Sequence, residues 1–197
     1  MTGEWVSKVL SVNRNNTVLR VVKKIKNMTK SKDVWLIFAP IKQLRLNMVA
    51  QKATELGASM LIPCLTEYTN NRSVNIKNIK LNAIEAAEQS GRLDIPKIEK
   101  PHSIKSILTS WPEDRYLIYC DEKLKNDKNI IKSLFALKNN IKKWAILIGP
   151  EGGFSSTEKK LIDKNKNVLA VTLGDRLLRS DTAITVALFC IQELVRE

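Results

Sequence analysis

The chain has 197 residues, of which 44% are hydrophobic and 27% charged, and a net charge of +13. This is an ordinary composition for one soluble globular core with or without an appendage, and no apolar run reaches the roughly 20 residues that cross a bilayer. The positive charge suits a polyanion such as RNA, although a general Lys/Asn/Ile bias, as in Ile76-Lys77-Asn78-Ile79-Lys80, produces the same charge with no such partner. Cys64, Cys120 and Cys190 are widely spaced without a CxxC pair, which reads as free thiols in a reducing cytoplasm. With His102 as the single histidine, no metal site is expected. The N-terminal residues do not form a secretory signal.

Residues 1–27 hold two β-branched runs, Trp5–Val12 and Val18–Ile25, around the polar tetrapeptide Asn13-Arg14-Asn15-Asn16. That pattern predicts a hairpin. A lone hairpin is marginal in water, so it must pack on something or be the remnant of a larger unit. Met28 to Asp33 is polar and lysine-rich, a linker and a domain boundary.

Val34 to Ala39 reads as a buried strand ended by Pro40, and Leu46, Val49, Ala53 and Leu56 keep helical spacing over 43–56, with Gly57 placed to stop the helix. A strand follows over 58–64, broken by Pro63, then a polar loop over 67–75. A second helix spans 77–90 with Gly91 as its stop and Arg92 placed to complement the helix dipole. Tyr116–Cys120 is a strand that ends in the loop Asp121-Glu122-Lys123, and Ile130–Leu137 is helical by spacing. Strand and helix alternate from residue 34 onward. This predicts an α/β fold, a mostly parallel sheet with helices on both faces.

Two glycine-bearing stretches close the chain, Ile146-Leu147-Ile148-Gly149-Pro150-Glu151-Gly152-Gly153-Phe154-Ser155 and Leu173-Gly174-Asp175-Arg176-Leu177-Leu178-Arg179-Ser180-Asp181-Thr182-Ala183. Each reads as strand, glycine turn and helix. Gly149, Gly152 and Gly153 are expected to permit positive φ and close approach of another molecule. Ser155 and Glu158 have capping-box spacing, and Ser180 or Asp181 is expected to cap the last helix, which is apolar on nearly every side from Val186 to Ile191. Ligands of open α/β sheets bind where loops leave the carboxyl ends of strands, so the two loops predict one pocket. Neither loop is a phosphate-gripping Gly-Lys-Ser/Thr motif or a GxGxxG turn, and no nucleophile–base pair is evident. The absence of both favours chemistry carried by a cofactor.

Ile148-Gly149-Pro150-Glu151-Gly152-Gly153 and Leu173-Gly174 through Leu177-Leu178-Arg179 to Thr182-Ala183 resemble the signature of the RsmE family, ribosomal RNA methyltransferases of the SPOUT class. Lys52-Ala53-Thr54-Glu55-Leu56-Gly57 and Glu88-Gln89-Ser90-Gly91-Arg92 resemble two further motifs of that family. Asp181 departs from it, since the family usually has Glu there. The resemblance implies a SPOUT sheet with a C-terminal trefoil knot over 28–197, and a partial PUA-like β segment over 1–27. Gly3-Glu4-Trp5 matches a point inside the family's N-terminal barrel, so the chain is expected to begin partway through it.

The resemblance further implies S-adenosylmethionine as cofactor, held by Cys120, Glu122, Ile148, Gly149, Gly152, Gly153, Leu173, Gly174, Leu177 and Leu178. It implies N3 of a uridine in 16S ribosomal RNA as the target, a homodimer, and no metal or membrane. That nitrogen carries a proton at neutral pH, so a cation should stabilise the developing uridinate. Arg179 is the candidate, with Asp181 to orient it or take the proton and Glu151 as the rival base; Arg92 and Arg176 are candidates for RNA contact. Three readings stay open: this enzyme, a non-catalytic RNA-binding relative, and a SPOUT methyltransferase acting on transfer RNA.

Overall fold

The computed structural model describes residues 3–124, 128–137, 141 and 143–195. Strands β1 (Glu4–Val12) and β2 (Thr17–Lys26) pair antiparallel around the predicted turn. They form a two-stranded sheet of their own. Register shifts after Glu4, Val6 and Val9 twist the ribbon. Its large apolar side chains are exposed, from Trp5 at 36% to Val12 at 69%. Alternation therefore gives this ribbon no buried face.

The rest of the chain is built on a seven-stranded sheet. In chain order its elements are β3 (Val34–Phe38), α1 (Gln43–Glu55), β4 (Met60–Leu65), α2 (Ile76–Ser90), β5 (Lys97–Ile98), β6 (His102–Ser103), α3 (Ile104–Thr109), β7 (Arg115–Cys120), α4 (Ile130–Leu137), β8 (Lys143–Ile148), α5 (Ser156–Asp163), β9 (Val168–Val171) and α6 (Ser180–Val195). The strand order is β5-β4-β3-β8-β7-β9, with β6 beside β4, and the pairings are parallel. Trp144 to Ile148 of β8 are all buried because both sheet faces are covered. On one face, Leu46 and Val49 of α1, Ile79 of α2, Leu134 of α4 and Ile184 and Leu188 of α6 pack on Leu36, Ile118 and Ile146. On the other, Ile104 and Ile107 of α3 and Ile162 of α5 pack on Ile37, Leu117 and Leu147.

Local chemistry sets the helix ends. Gly57 (φ +77°) follows α1 and Gly91 (φ +68°) ends α2, both in the left-handed region that glycine adopts freely. Pro63 does not break its strand as the sequence suggested. β4 runs through it, because Met60 and Leu61 pair with β5 while Cys64 and Leu65 pair with β6. The missing N–H thus falls between two short edge partners. The last helix starts at Ser180, with the Arg179 carbonyl accepting the Ala183 N–H at 2.8 Å, so Arg179 occupies the capping position expected of Ser180 or Asp181. That helix buries one face, and Phe189 stays 54% exposed.

Arg115, 2% exposed, locks the starts of three strands. It donates to the Trp144 carbonyl (2.8 Å), the Asp33 carbonyl (3.3 Å) and the Asp33 carboxylate (2.7 Å), and its guanidinium lies 3.6 Å from the Trp35 ring centre.

Candidate active site

β8, β7 and β9 are neighbours and parallel, so the loops leaving their carboxyl ends converge. They enclose a cavity of about 270 Å³. The loop after β7 contributes Cys120, Asp121 and Glu122; the loop after β8 contributes Ile148, Gly149, Glu151, Gly152 and Gly153. The loop after β9 contributes Leu173, Gly174, Arg176, Leu177, Leu178 and Arg179. All ten residues expected to hold the cofactor therefore lie on one cavity. The Ser180 hydroxyl, 3.5 Å from the Gly149 carbonyl, bridges the two glycine loops.

The glycines serve different ends. Positive φ is found at Gly153 (+70°) and Gly174 (+121°), where an added Cβ meets nothing within 4 Å. Gly149 and Gly152 do not use the positive φ that glycine permits, so of the three glycines of the first loop only Gly153 adopts it. Contact restricts them instead: a Cβ on Gly149 would lie 2.6 Å from the Phe154 ring, a clash, and one on Gly152 would lie 3.2 Å from Tyr68 Cβ, a tight fit. Phe154 is buried edge-on to Tyr119, with ring centres 5.4 Å apart.

A polar cluster forms one wall. Asp121 Oδ2 accepts from the Tyr119 hydroxyl at 3.1 Å and the Lys159 ammonium at 3.0 Å, and Oδ1 accepts the Lys123 N–H at 3.0 Å. Burial alone would raise the Asp121 carboxyl; these three donors outweigh it and hold it below the ordinary carboxylate value. Burial and Asp121 push the Tyr119 phenol up, and burial, then Cys190, does the same to the Cys120 thiol. Glu122 and Cys120, expected here from the family resemblance, are joined by Tyr119, Phe154 and Lys159, which no motif marks. The one available signal was the position of Lys159 one helical turn after the Ser155 cap.

Another part of the lining is more apolar, where Leu173 and Leu178 pack partly into the core. Leu177 is 76% exposed at the cavity, so it is not the core residue it could equally have been. Arg176, Arg179 and Glu151 are exposed and line the same cavity. Asp181 lies outside the lining, and its Oδ1 accepts the Thr182 N–H at 3.0 Å in the first turn of α6.

Arg92 is placed elsewhere. Its guanidinium donates to the carbonyls of Thr54 (2.7 Å) and Ala58 (2.8 Å) and pairs with Asp94 (2.7 Å). Asp94 in turn accepts the Ser31 N–H and hydroxyl. Arg92 thus ties the end of α1 and the linker to the turn after α2, and its side chain is 9% exposed. That is a structural arrangement, and the dipole it serves is that of α1 as much as that of α2. Among the described residues no cluster of His, Cys, Asp and Glu is arranged to hold a metal, and no helix is long and apolar enough to cross a membrane.

The RNA methyltransferase domain family matches residues 28–192. The ribosomal RNA small subunit methyltransferase E of Rickettsia conorii is 33% identical over 94% of this chain and 75% of its own length. The chain belongs to this family. The namesake of Buchnera aphidicola from Schizaphis graminum is 30% identical over 95% of this chain and 76% of its own. Among solved structures, a putative methyltransferase of Legionella pneumophila in complex with S-adenosylmethionine superposes with a TM-score of 0.81 at 27% identity, over 96% of this chain and 78% of that one. A family member from Neisseria gonorrhoeae, also bound to S-adenosylmethionine, shares the fold with a TM-score of 0.82 at 21% identity, over 96% of this chain and 78% of that one. The family match begins at residue 28, where the polar linker begins.

Proposed function

We propose that this chain is an S-adenosylmethionine-dependent methyltransferase that methylates N3 of a uridine in 16S ribosomal RNA of the small ribosomal subunit. The observation that carries the reading is the single cavity at the ends of β7, β8 and β9, lined by every residue expected to hold the cofactor, in a chain of the methyltransferase E family. The cavity fits the cofactor's chemistry. Leu173 and Leu178 supply apolar surface for a flat base, and Glu122 supplies an anion for an amine. Open space at Gly153 and Gly174, where a side chain would otherwise stand, leaves backbone free to approach a ligand.

When bound, S-adenosylmethionine supplies a methyl group activated on a sulfonium sulfur. The protein's part is to place N3 in line with that carbon and to handle charge. Uridine arrives neutral and reacts as an anion. Arg179, at the cavity and at the start of α6, gains interaction as that charge develops. Glu151 lines the cavity and Asp181 does not, so Glu151 is assigned the N3 proton. Glu151 would take the N3 proton, N3 would then take the methyl carbon, and the electrons of the broken carbon–sulfur bond would remain on sulfur. Arg176, exposed on the same rim, is assigned to the RNA backbone.

A homodimer belongs to this proposal. Leu44 and Met48 of α1 and Phe189 of α6 stand exposed on two helices that pack together, and an isologous pairing of that face covers them.

The deciding experiment maps N3-methyluridine in small-subunit RNA from cells with and without this protein. One site that loses its methyl group supports the assignment. An unchanged map, with cofactor still bound by the pure protein, favours a non-catalytic RNA-binding relative, and methyl groups missing from transfer RNA instead move the substrate class.

A further inference from the structure

Tyr68 lies outside every residue set assigned so far. It sits in the loop between β4 and α2, far in sequence from the glycine loops, yet its side chain packs against Gly152. A Cβ built on Gly152 would lie 3.2 Å from Tyr68 Cβ and 3.6 Å from its ring atoms Cγ and Cδ2. Despite that contact the residue is 45% exposed. We propose that Tyr68 is a stacking platform for a base of the RNA beside the cofactor cavity.

The loop is built to hold this ring still. Thr66 N–H donates to the Thr69 hydroxyl at 2.8 Å, the two threonine hydroxyls bond at 2.9 Å, and Thr69 N–H returns to the Thr66 carbonyl at 3.2 Å. The Glu67 N–H is anchored to the Glu158 carboxylate at 2.9 Å. Thr66 and Thr69 are buried, so the polar groups of the turn face inward while the aromatic ring between them faces out. A fixed, half-exposed aromatic face loses little freedom when a base stacks on it. Its neighbour Arg72, exposed and 3.5 Å from the Thr66 carbonyl, places a guanidinium on the same loop. An aromatic face with an adjacent cation is how proteins hold unstacked bases of single-stranded RNA. Gly152 itself lines the cavity, so a base on Tyr68 would lie beside the loop that bounds it.

This inference rests on the RNA-substrate reading, and the test separates the two. Tyr68→Ala, Tyr68→Phe and Tyr68→Trp are compared with the unaltered chain for binding of a short single-stranded uridine-rich RNA and of small-subunit RNA, for methyl transfer, and for S-adenosylmethionine affinity. Tyr68→Ala should weaken RNA binding about 5- to 100-fold and raise KM for RNA, with kcat and cofactor affinity unchanged. Phe and Trp at this position should retain binding, since stacking needs the ring and not the hydroxyl. Equal RNA binding by Tyr68→Ala overturns the proposal. So does a loss confined to cofactor affinity, which would make Tyr68 a prop for the glycine loop, or a shift from dimer to monomer, which would bury it between copies. If the unaltered chain binds RNA through Tyr68 but transfers no methyl, the methyltransferase reading falls and the stacking role stands.

Discussion

Oε1 of Glu158 accepts the backbone N–H of Glu67 at 2.9 Å, across 91 residues of sequence. Oε2 of the same carboxylate accepts the Ser155 N–H at 3.0 Å, and the Ser155 hydroxyl accepts the Glu158 N–H at 3.3 Å, completing a buried capping box. One side chain thus starts α5 and also fixes the loop bearing Tyr68 against the glycine loop. Beside it, burial and then the Glu158 charge push the Cys64 thiol up to about 12. Glu158→Ala leaves the buried Ser155 N–H unpaired, at about 1–3 kcal/mol, and frees the half-buried Glu67 N–H, and should lower the melting temperature clearly. Glu158→Gln keeps one acceptor oxygen and should lose about half as much. Melting curves of both variants check the order.

The capping box was legible in sequence because Ser155 and Glu158 are local. The reach to Glu67 was not, since spacing along the chain says nothing of a loop brought alongside by β4. The same limit explains Arg92. Its place after Gly91 suggested the dipole of its own helix, whereas the fold brings the end of α1 to it. Two of the cavity loops were legible from their strand, glycine and helix pattern; the loop after β7, which has no glycine, is marked only by the family resemblance. Their convergence depends on strand order, which placed β7 between β8 and β9. That Gly153 alone of the first loop's glycines adopts positive φ was not legible, because glycine identity does not separate a backbone need from a crowding need.

That distinction gives a prediction at Gly149. An added methyl group would stand 2.6 Å from the Phe154 ring, which is buried against Tyr119 and cannot swing aside. Gly149→Ala should cost about 1–3 kcal/mol, as overpacking does. The double variant Gly149→Ala with Phe154→Leu should recover part of that loss, read by chemical denaturation.

Acid should weaken the fold through two carboxyls. At Asp94, as at Asp121, burial raises the carboxyl, but hydrogen bonds outweigh it, here from Arg92 and Ser31, and hold it below its ordinary value. Such a group binds its proton less readily folded than unfolded. The unfolded chain then takes up more protons as pH falls through about 4, and stability falls with it. The contribution is fully present above about pH 5. Melting temperature should drop from pH 5 to pH 3, and less steeply in Asp121→Asn and Asp94→Asn than in the unaltered chain.

Arg179→Ala should cut single-turnover methyl transfer about 100- to 1000-fold while leaving cofactor affinity nearly intact. Arg179→Lys should recover only part, because an ammonium lacks the planar fork of a guanidinium. Single-turnover rates on purified small subunits, beside melting curves, separate this from loss of a helix-start residue, which would lower stability and leave turnover per folded molecule unchanged.

The claim on which the rest depends is that the loops after β7, β8 and β9 are the cofactor site. Calorimetric titration with S-adenosylmethionine tests it directly, on the unaltered chain and on Gly174→Val. Gly174 has φ +121°, and a side chain there would project into open space at the cavity. A β-branched residue at this position is strained and stands where the ligand must approach. The account predicts one cofactor per chain for the unaltered protein and loss of that binding in folded Gly174→Val. Full affinity in the variant, or no binding by the folded unaltered chain, would contradict it.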